Sequence, residues 1–444
     1  MTSAVDLRFL VAPDVSARPR LQGRLRVPGD KSISHRSIML GAIAEGETRI
    51  SGFLEGADAL ATLASFRHMG VQIQGPDRGE VRIQGVGLRG LQAPDAPLDM
   101  GNSGTSMRLL AGLLAGQSFP ATLVGDASLT RRPMRRVTEP LGLMGARIGT
   151  SEQGTAPLML EPTEHLTGID YRMPVASAQV KSCLLLAGLY GTGETCVTEP
   201  APTRDHTERM LTAFGYSVRR TADRVCITGG GRLMGCRLQI PADISSAAFF
   251  LVGASIAPGS DLTLEGVGIN PTRVGVINIL RAMGADIELM DRRTAGGEPV
   301  ADIRVRSAPL TGVAIPVDQV PLAIDEFPAL FIAAACASGE TILTRAEELR
   351  VKESDRIQVM GDGLAALGIQ AKPRPDGIRI RGGQIGPGVV DAHGDHRIAM
   401  AFAIAGLRAS GPIEVRDCAN VETSFPGFAA LAVRVGVPMR ELRS

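Results

Sequence analysis

Val27-Pro28-Gly29-Asp30-Lys31-Ser32-Ile33-Ser34-His35-Arg36 and, far downstream, Ile240-Pro241-Ala242-Asp243 are two versions of one phrase. Each couples an apolar strand end to a proline break and sets an aspartate where a helix begins. The wider grammar returns along the chain: a β-branched or apolar strand, a break, a polar cluster, then an apolar helix ending in an Ala/Gly turn. The clusters centre on Lys31, Asn102, Ser177, Asp243, Asp325 and His396, roughly 65 to 80 residues apart, a period of repeated supersecondary units. A second helix in five of the repeats closes on Met69-Gly70-Val71, Met144-Gly145-Ala146, Phe214-Gly215-Tyr216, Met283-Gly284-Ala285 and Leu367-Gly368-Ile369. Glycine there is the expected left-handed residue just past a helix end.

In the first repeat the pattern predicts helices over 36–44 and 59–69 and strands over 47–50 and 70–74. The two proline phrases mark the crossings between two domains, one of residues 30–241 and one of 1–29 plus 242–444. The fold class is α/β (α+β), with three repeats per domain. The polar clusters are expected to meet in the cleft between the domains, a common ligand location. Helix N-termini gathered there suit phosphates and carboxylates.

A chain of 444 residues is too long for one ordinary core. With 44% apolar and 21% charged residues and a net charge of +1, its bulk electrostatics make no case for nucleic acid or membrane binding. Trp is absent and aromatics reach only 3%, which argues against base-stacking platforms. The Lys residues are Lys31, Lys181, Lys352 and Lys372, and three of these four lie within the polar clusters. The six cysteines show no CxxC and are expected to be reduced core thiols. Without a presequence pattern or a membrane-length apolar run, a cytoplasmic location is expected. The turn at 229–231 and a loop at 291–299 are the expected mobile segments.

Three patterns resemble ligand motifs without their context. Gly85-Val86-Gly87-Leu88-Arg89-Gly90 matches GxGxxG, but the Pro-containing run after it cannot open a helix. Gly23 to Ser32 resembles a P-loop with the wrong spacing and an intruding Asp30. Asp391-Ala392-His393-Gly394-Asp395-His396 has metal-ligand residue types, yet no further cluster completes a site and Arg397 would repel a cation. No metal and no cofactor are expected.

Lys31, Ser32 and Arg36 place two cations and a hydroxyl at one helix start, where the positive dipole end already disfavours a cation unless an anion binds. Gly101-Asn102-Ser103-Gly104 offers bare backbone N–H groups to a small anion, or is an ordinary turn. In the basic knot 131–136, Arg132, fixed by Pro133, is the residue expected to face the cleft. Ser177-Ala178-Gln179 offers neutral hydrogen-bonding groups, and Arg204 to Arg209 reads equally as ligand-facing or as a self-satisfied network. Asp325 stands at the fifth helix start, either as a cap or as a proton carrier. If Glu348 to Arg356 is helical, Lys352 and Glu353 share a face with Arg356. Asp395-His396-Arg397 gives the sixth start another cation.

Taken together, GDKSISHR at 29–36, GNSGTSMR at 101–108, RRPM at 131–134, SAQVKS at 177–182, RDHTE at 204–208, IDEFP at 324–328, RVKESDR at 350–356 and DHRIAM at 395–400 resemble the 5-enolpyruvylshikimate-3-phosphate synthase family of enolpyruvyl transferases. The resemblance implies two domains of three βαβαββ units each and transfer of the enolpyruvyl group of phosphoenolpyruvate to shikimate 3-phosphate. It implies that Lys31, Ser32, Arg36, Ser177, Ala178, Gln179, Arg204, Asp325 and Lys352 hold shikimate 3-phosphate. It gives phosphoenolpyruvate to Lys31, Asn102, Gly104, Arg132, Gln179, Arg356, His396 and Arg397. Asp325, Glu353 and Lys31 would be catalytic, Asp325 as proton acceptor and Glu353 as proton donor to carbon. Ser424 stands where one branch of the family carries Lys, and Gly104 where Ala confers glyphosate tolerance, so glyphosate enters as an expected inhibitor. A monomer is expected because the cleft is built within one chain. The rival readings are transfer to a nucleotide sugar and a catalytically silent phosphometabolite-binding protein.

Overall fold

The computed structural model describes residues 7–13, 18–163 and 165–443. Six helices open the repeats: α1 Lys31–Ile43, α2 Gly104–Leu114, α3 Ala178–Gly188, α4 Ile244–Ile256, α5 Phe327–Cys336 and α6 His396–Ala405. They are largely apolar all round, and every residue of α4 is buried, as expected of helices that form an interior. Around them, among the described residues, lie six small sheets.

In the second repeat, Leu98–Asp99 runs parallel to Ala121–Val124, which pairs antiparallel with Leu158–Leu160, itself flanked by Ile148–Gly149. The third and fourth repeats keep that order, which is the βαβαββ unit. The first strands of the first and fourth repeats are exchanged along the chain. Gln22–Leu25, just before α1, pairs with Asp261–Gly268 after α4. Arg237–Gln239, just before α4, pairs with Glu45–Ser51 after α1. The last sheet is completed by Leu7–Val11, between Ile413–Arg416 and Met439–Arg443.

The described residues form two compact units, each with its own core. The inserted unit comprises Gly29–Pro241 with Thr294–Glu298; the flanking unit comprises the described residues up to Pro28, Ala242–Arg293 and the chain from Pro299. The grouping of Thr294–Glu298 with the inserted unit departs from the sequence reading, and Gly296 lies close against the Gln239 backbone there.

The five glycine closings all have the expected positive φ, from 81° at Gly215 to 97° at Gly284. Other expectations need correction. The 291–299 segment is the end of a hairpin, Asp286–Ala295 with Glu298–Arg306, rather than a loop. Residues 348–356 are not one helix: a 3₁₀ turn, Glu347–Val351, ends at Lys352, and a new helix, Arg356–Ala366, starts with Asp355 accepting from the Gln358 N–H at 3.0 Å. Cys196 and Cys226 are joined in a disulfide, because antiparallel register sets them directly opposite each other with Cα atoms 4.1 Å apart. Cys183, Cys236, Cys336 and Cys418 are free thiols.

Helices α2 and α3 approach closely at Gly112, where a Cβ would stand 2.1 Å from the Cys183 carbonyl oxygen. A methyl group there must push two buried helices apart. Gly112→Ala should therefore cost at least about 2 kcal/mol in a urea unfolding titration.

Candidate active site

Among the described residues, none of the six opening helices has an acidic residue in its first turn. Their positive ends are met by a capping side chain from the preceding residue in five cases: Asp30, Ser103, Ser177, Asp243 and Asp395. The exception is α5. Its cap position is Glu326, whose side chain makes no cap hydrogen bond.

In the inserted unit the starts of α1, α2 and α3 are tied together by side chains. Arg36, nearly fully buried, donates from Nε to Thr207 Oγ1 and from Nη2 to Ser182 Oγ, both at 2.7 Å, and from Nη1 to the Ser32 carbonyl at 3.0 Å. Burial pulls its guanidinium down to about 10 although Glu208 and Asp30 oppose this, so it stays cationic at neutral pH. Lys31 is ion-paired to Asp58 in the first turn of helix Ala57–His68. Arg132 donates to Asn102 Oδ1 at 2.7 Å, and Asn102 Nδ2 donates to Asp126 at 2.7 Å. Gln179 accepts from Arg108 and donates to Thr105 Oγ1 at 3.0 Å. A Cβ on Gly104 would lie 3.2 Å from Arg132 Nη1. Arg204 is near enough to Arg36 for their charges to repel. Ser177 spends its hydroxyl on the cap of α3, accepting from the Val180 N–H at 3.4 Å, which leaves Ala178 to offer backbone.

Behind these cations lies a buried hydroxyl relay. His35 Nδ1 meets Thr62 Oγ1 at 2.8 Å, Thr62 meets Ser106 Oγ at 2.7 Å, and Ser106 donates to Ser103 Oγ at 2.7 Å. Burial, with the charges of Lys31 and Arg36, holds the His35 imidazole well below its usual range.

In the flanking unit the second cluster forms around Arg356. Its side chain is fully buried, with Nε donating to Asp395 Oδ2 at 2.8 Å and Nη2 to Glu353 Oε2 at 2.6 Å. Burial alone would weaken this charge, but Asp395 and Glu353 outweigh it and hold the guanidinium above its ordinary value. Burial likewise pushes against the Asp395 charge, and Arg356 reverses the balance, keeping that carboxyl below the ordinary carboxylate value. Asp325 stands one residue before the cap position of α5, which is Glu326. The Asp325 carboxylate lies 3.4 Å from Lys352 Nζ and 3.5 Å from Arg356 Nη1, while its carbonyl accepts from Arg397 Nη1 at 3.1 Å. His396, buried, opens α6 beside it in sequence. Asp395 accepts from Arg356, the Ser354 hydroxyl and the Arg397 N–H.

Thus the structure gathers Lys31, Arg36, Asn102, Gly104, Arg132 and Gln179 in one unit, and Asp325, Lys352, Glu353, Arg356 and Arg397 in the other. Sequence reading missed Asp58, Asp126, Arg108, Ser182 and Thr207, which hold those groups in place. Ser182 and Thr207 sat inside quoted motifs; their partnership with Arg36 had no local signal.

Cations set at helix starts and a carboxylate that faces them, on repeated βαβαββ units, define an enolpyruvyl transferase-like protein. That fold recurs in the enolpyruvyl transferase NikO from Streptomyces tendae, at a TM-score of 0.80 and 17% identity over 99% of this chain and 100% of that one. The chain belongs to the EPSP synthase (3-phosphoshikimate 1-carboxyvinyltransferase) family, whose model matches residues 15–431. It is 71% identical to the 3-phosphoshikimate 1-carboxyvinyltransferase of Alkalilimnicola ehrlichii, over 94% of each chain. It is 69% identical to that of Methylococcus capsulatus, over 94% of this chain and 96% of the relative. The EPSP synthase structure from Acinetobacter baumannii superposes with a TM-score of 0.89 at 58% identity, covering 98% of this chain and all (100%) of that one. Among the described residues no helix is long and apolar enough to cross a membrane.

The neutral His35 generates a pH prediction. Its folded-state pKa is depressed, so below about pH 6.5 the unfolded chain takes up a proton that the folded chain does not, and stability falls as pH falls. Wild type should lose up to about 1.4 kcal/mol more per pH unit than His35→Gln between about pH 6.5 and 5.5 in urea titrations. Parallel slopes for the two proteins would mean that folded His35 protonates normally.

Proposed function

We infer that the protein catalyses transfer of the enolpyruvyl group of phosphoenolpyruvate to the 5-hydroxyl of shikimate 3-phosphate, releasing phosphate. The observation that carries this reading is Asp325, a helix-start carboxylate that faces Lys352 and Arg356, in a chain 71% identical to a relative named for this reaction. Shikimate 3-phosphate is held by Lys31, Ser32, Arg36, Ser177, Ala178, Gln179, Arg204, Asp325 and Lys352, and phosphoenolpyruvate by Lys31, Asn102, Gly104, Arg132, Gln179, Arg356, His396 and Arg397.

The 5-hydroxyl oxygen attacks the central carbon of phosphoenolpyruvate. Asp325 takes the hydroxyl proton, and Glu353 gives a proton to the methylene carbon. The Glu353 carboxylate then takes back a proton from the new methyl group of the tetrahedral adduct as its C–O bond to phosphate breaks, and the proton held by Asp325 leaves with the phosphate. Arg132, Arg356 and Arg397 stabilise the carboxylate and phosphate charges throughout. A monomeric, cytoplasmic enzyme sensitive to glyphosate completes the proposal.

Phosphate release with both substrates and no added metal tests the reading. Asp325→Ala should lower kcat by about 10²- to 10⁴-fold, the usual worth of general acid–base groups. Shikimate 3-phosphate binding without turnover in wild type would instead favour a silent binding protein. A methyl group at Gly104 would crowd Arg132, so Gly104→Ala should raise the KM for phosphoenolpyruvate while leaving that for shikimate 3-phosphate within about twofold.

A further inference from the structure

Behind Asp325 lies a second buried charge cluster that the mechanism above does not use. Glu326 is 2% exposed and accepts at Oε1 from the Ser245 hydroxyl. Arg273, 3% exposed, donates from Nη2 to Ser245 Oγ at 2.7 Å and lies 3.4 Å from both Glu326 Oε1 and Asp243 Oδ1. Ser245 stands in the first turn of α4, where Asp243 caps by accepting from its N–H at 2.8 Å. Arg273 is itself anchored in a turn, its N–H donating to the Asn270 carbonyl at 2.8 Å. All four groups belong to the flanking unit and tie the start of α4 to the start of α5.

We propose that Glu326, gripped by Ser245 and Arg273, is a positioning residue that holds Asp325 against Lys352 and Arg356. Two carboxylates stand side by side at a helix start, where either would ordinarily turn inward to cap free N–H groups. Glu326 does not do so here, and the Asp325 carboxylate lies against Lys352 and Arg356. Glu326 occupies the cap position of α5, yet its side chain is drawn away to Ser245 and Arg273. Its backbone stays in the turn, with the N–H donating to Ala323 O at 2.9 Å and the carbonyl accepting from Leu330 N at 3.1 Å. With that peptide fixed on one side by the clamp and on the other by Arg397 donating to the Asp325 carbonyl, the Asp325 side chain is left facing the cations. Glu326 Oε2 is buried without a hydrogen bond, an arrangement that a purely stabilising role does not favour.

The inference rests on Asp325 being the proton acceptor, and the test separates the two claims. Glu326→Gln keeps the size and an acceptor for Ser245 but loses the charge that Arg273 answers. Its kcat for phosphate release should fall by about tenfold or more, with shikimate 3-phosphate affinity within about threefold of wild type. The acid limb of its kcat–pH profile should move by about half a pH unit or more, while Lys352, Arg356 and Arg397 remain around Asp325. Wild-type kcat and acid limb, whatever the change in Tm, would overturn the inference, provided that Asp325→Ala is inactive in the same assay. If Asp325→Ala turns over like wild type, the acceptor assignment fails first and takes this inference with it. Should Glu326→Gln not melt cooperatively, Arg273→Lys is read by the same criteria.

Discussion

A guanidinium without access to water has to be answered inside the protein, and Arg356 imposes that constraint on the flanking unit. Removing one partner of such a buried pair costs about 3 to 5 kcal/mol, because the remaining charge is stranded. Asp395 and Glu353 answer it, and each is thereby fixed. Asp395 then accepts from the Ser354 hydroxyl and from the Arg397 N–H at the start of α6, which sets Arg397. Arg397 reaches back to the Asp325 carbonyl. One buried cation thus orders three carboxylates, two further cations and the starts of two helices. The inserted unit uses a different solution around Arg36, whose partners are hydroxyls and a carbonyl rather than carboxylates. That choice leaves its charge less compensated and better suited to an incoming anion.

The two units also differ in sign at matching places. In the first repeat, the start of the second helix supplies Asp58 to Lys31. In the fourth, the turn before helix Gly275–Ala282 supplies Arg273 to Asp243 and Glu326. The repeat architecture preserves the position and reverses the charge, so one unit presents a tethered cation where the other buries its ion pair.

Much of this was legible in the chain because its signals are local. A glycine after the second helix of a repeat marks a left-handed turn, and Asp or Ser before five of the six opening helices marks a cap; both are decided within a few residues. The polar clusters carried the site residues for the same reason. What could not be read depends on distant neighbours. Arg36 with Ser182, Arg356 with Asp395 and Ser245 with Glu326 are joined only by packing. The Cys196–Cys226 pairing follows from strand register, which no cysteine spacing discloses. The break at Lys352 was hidden because the charge pattern of 348–356 suits a helix, while Asp355 starts a new one.

The exchange of first strands gives the chain a built-in order of assembly. The sheet of the first repeat cannot close until Arg237–Gln239 has been made, but its other strands have by then all been synthesised. Gln22–Leu25, synthesised earlier, must wait for Asp261–Gly268, and Leu7–Val11 must wait for Met439–Arg443 at the far end of the chain. Contacts of such long separation are slow to form, and chains fold domain by domain during synthesis. The inserted unit is therefore the part whose strands are all made first, and the flanking unit is sealed only after Met439–Arg443 has been synthesised.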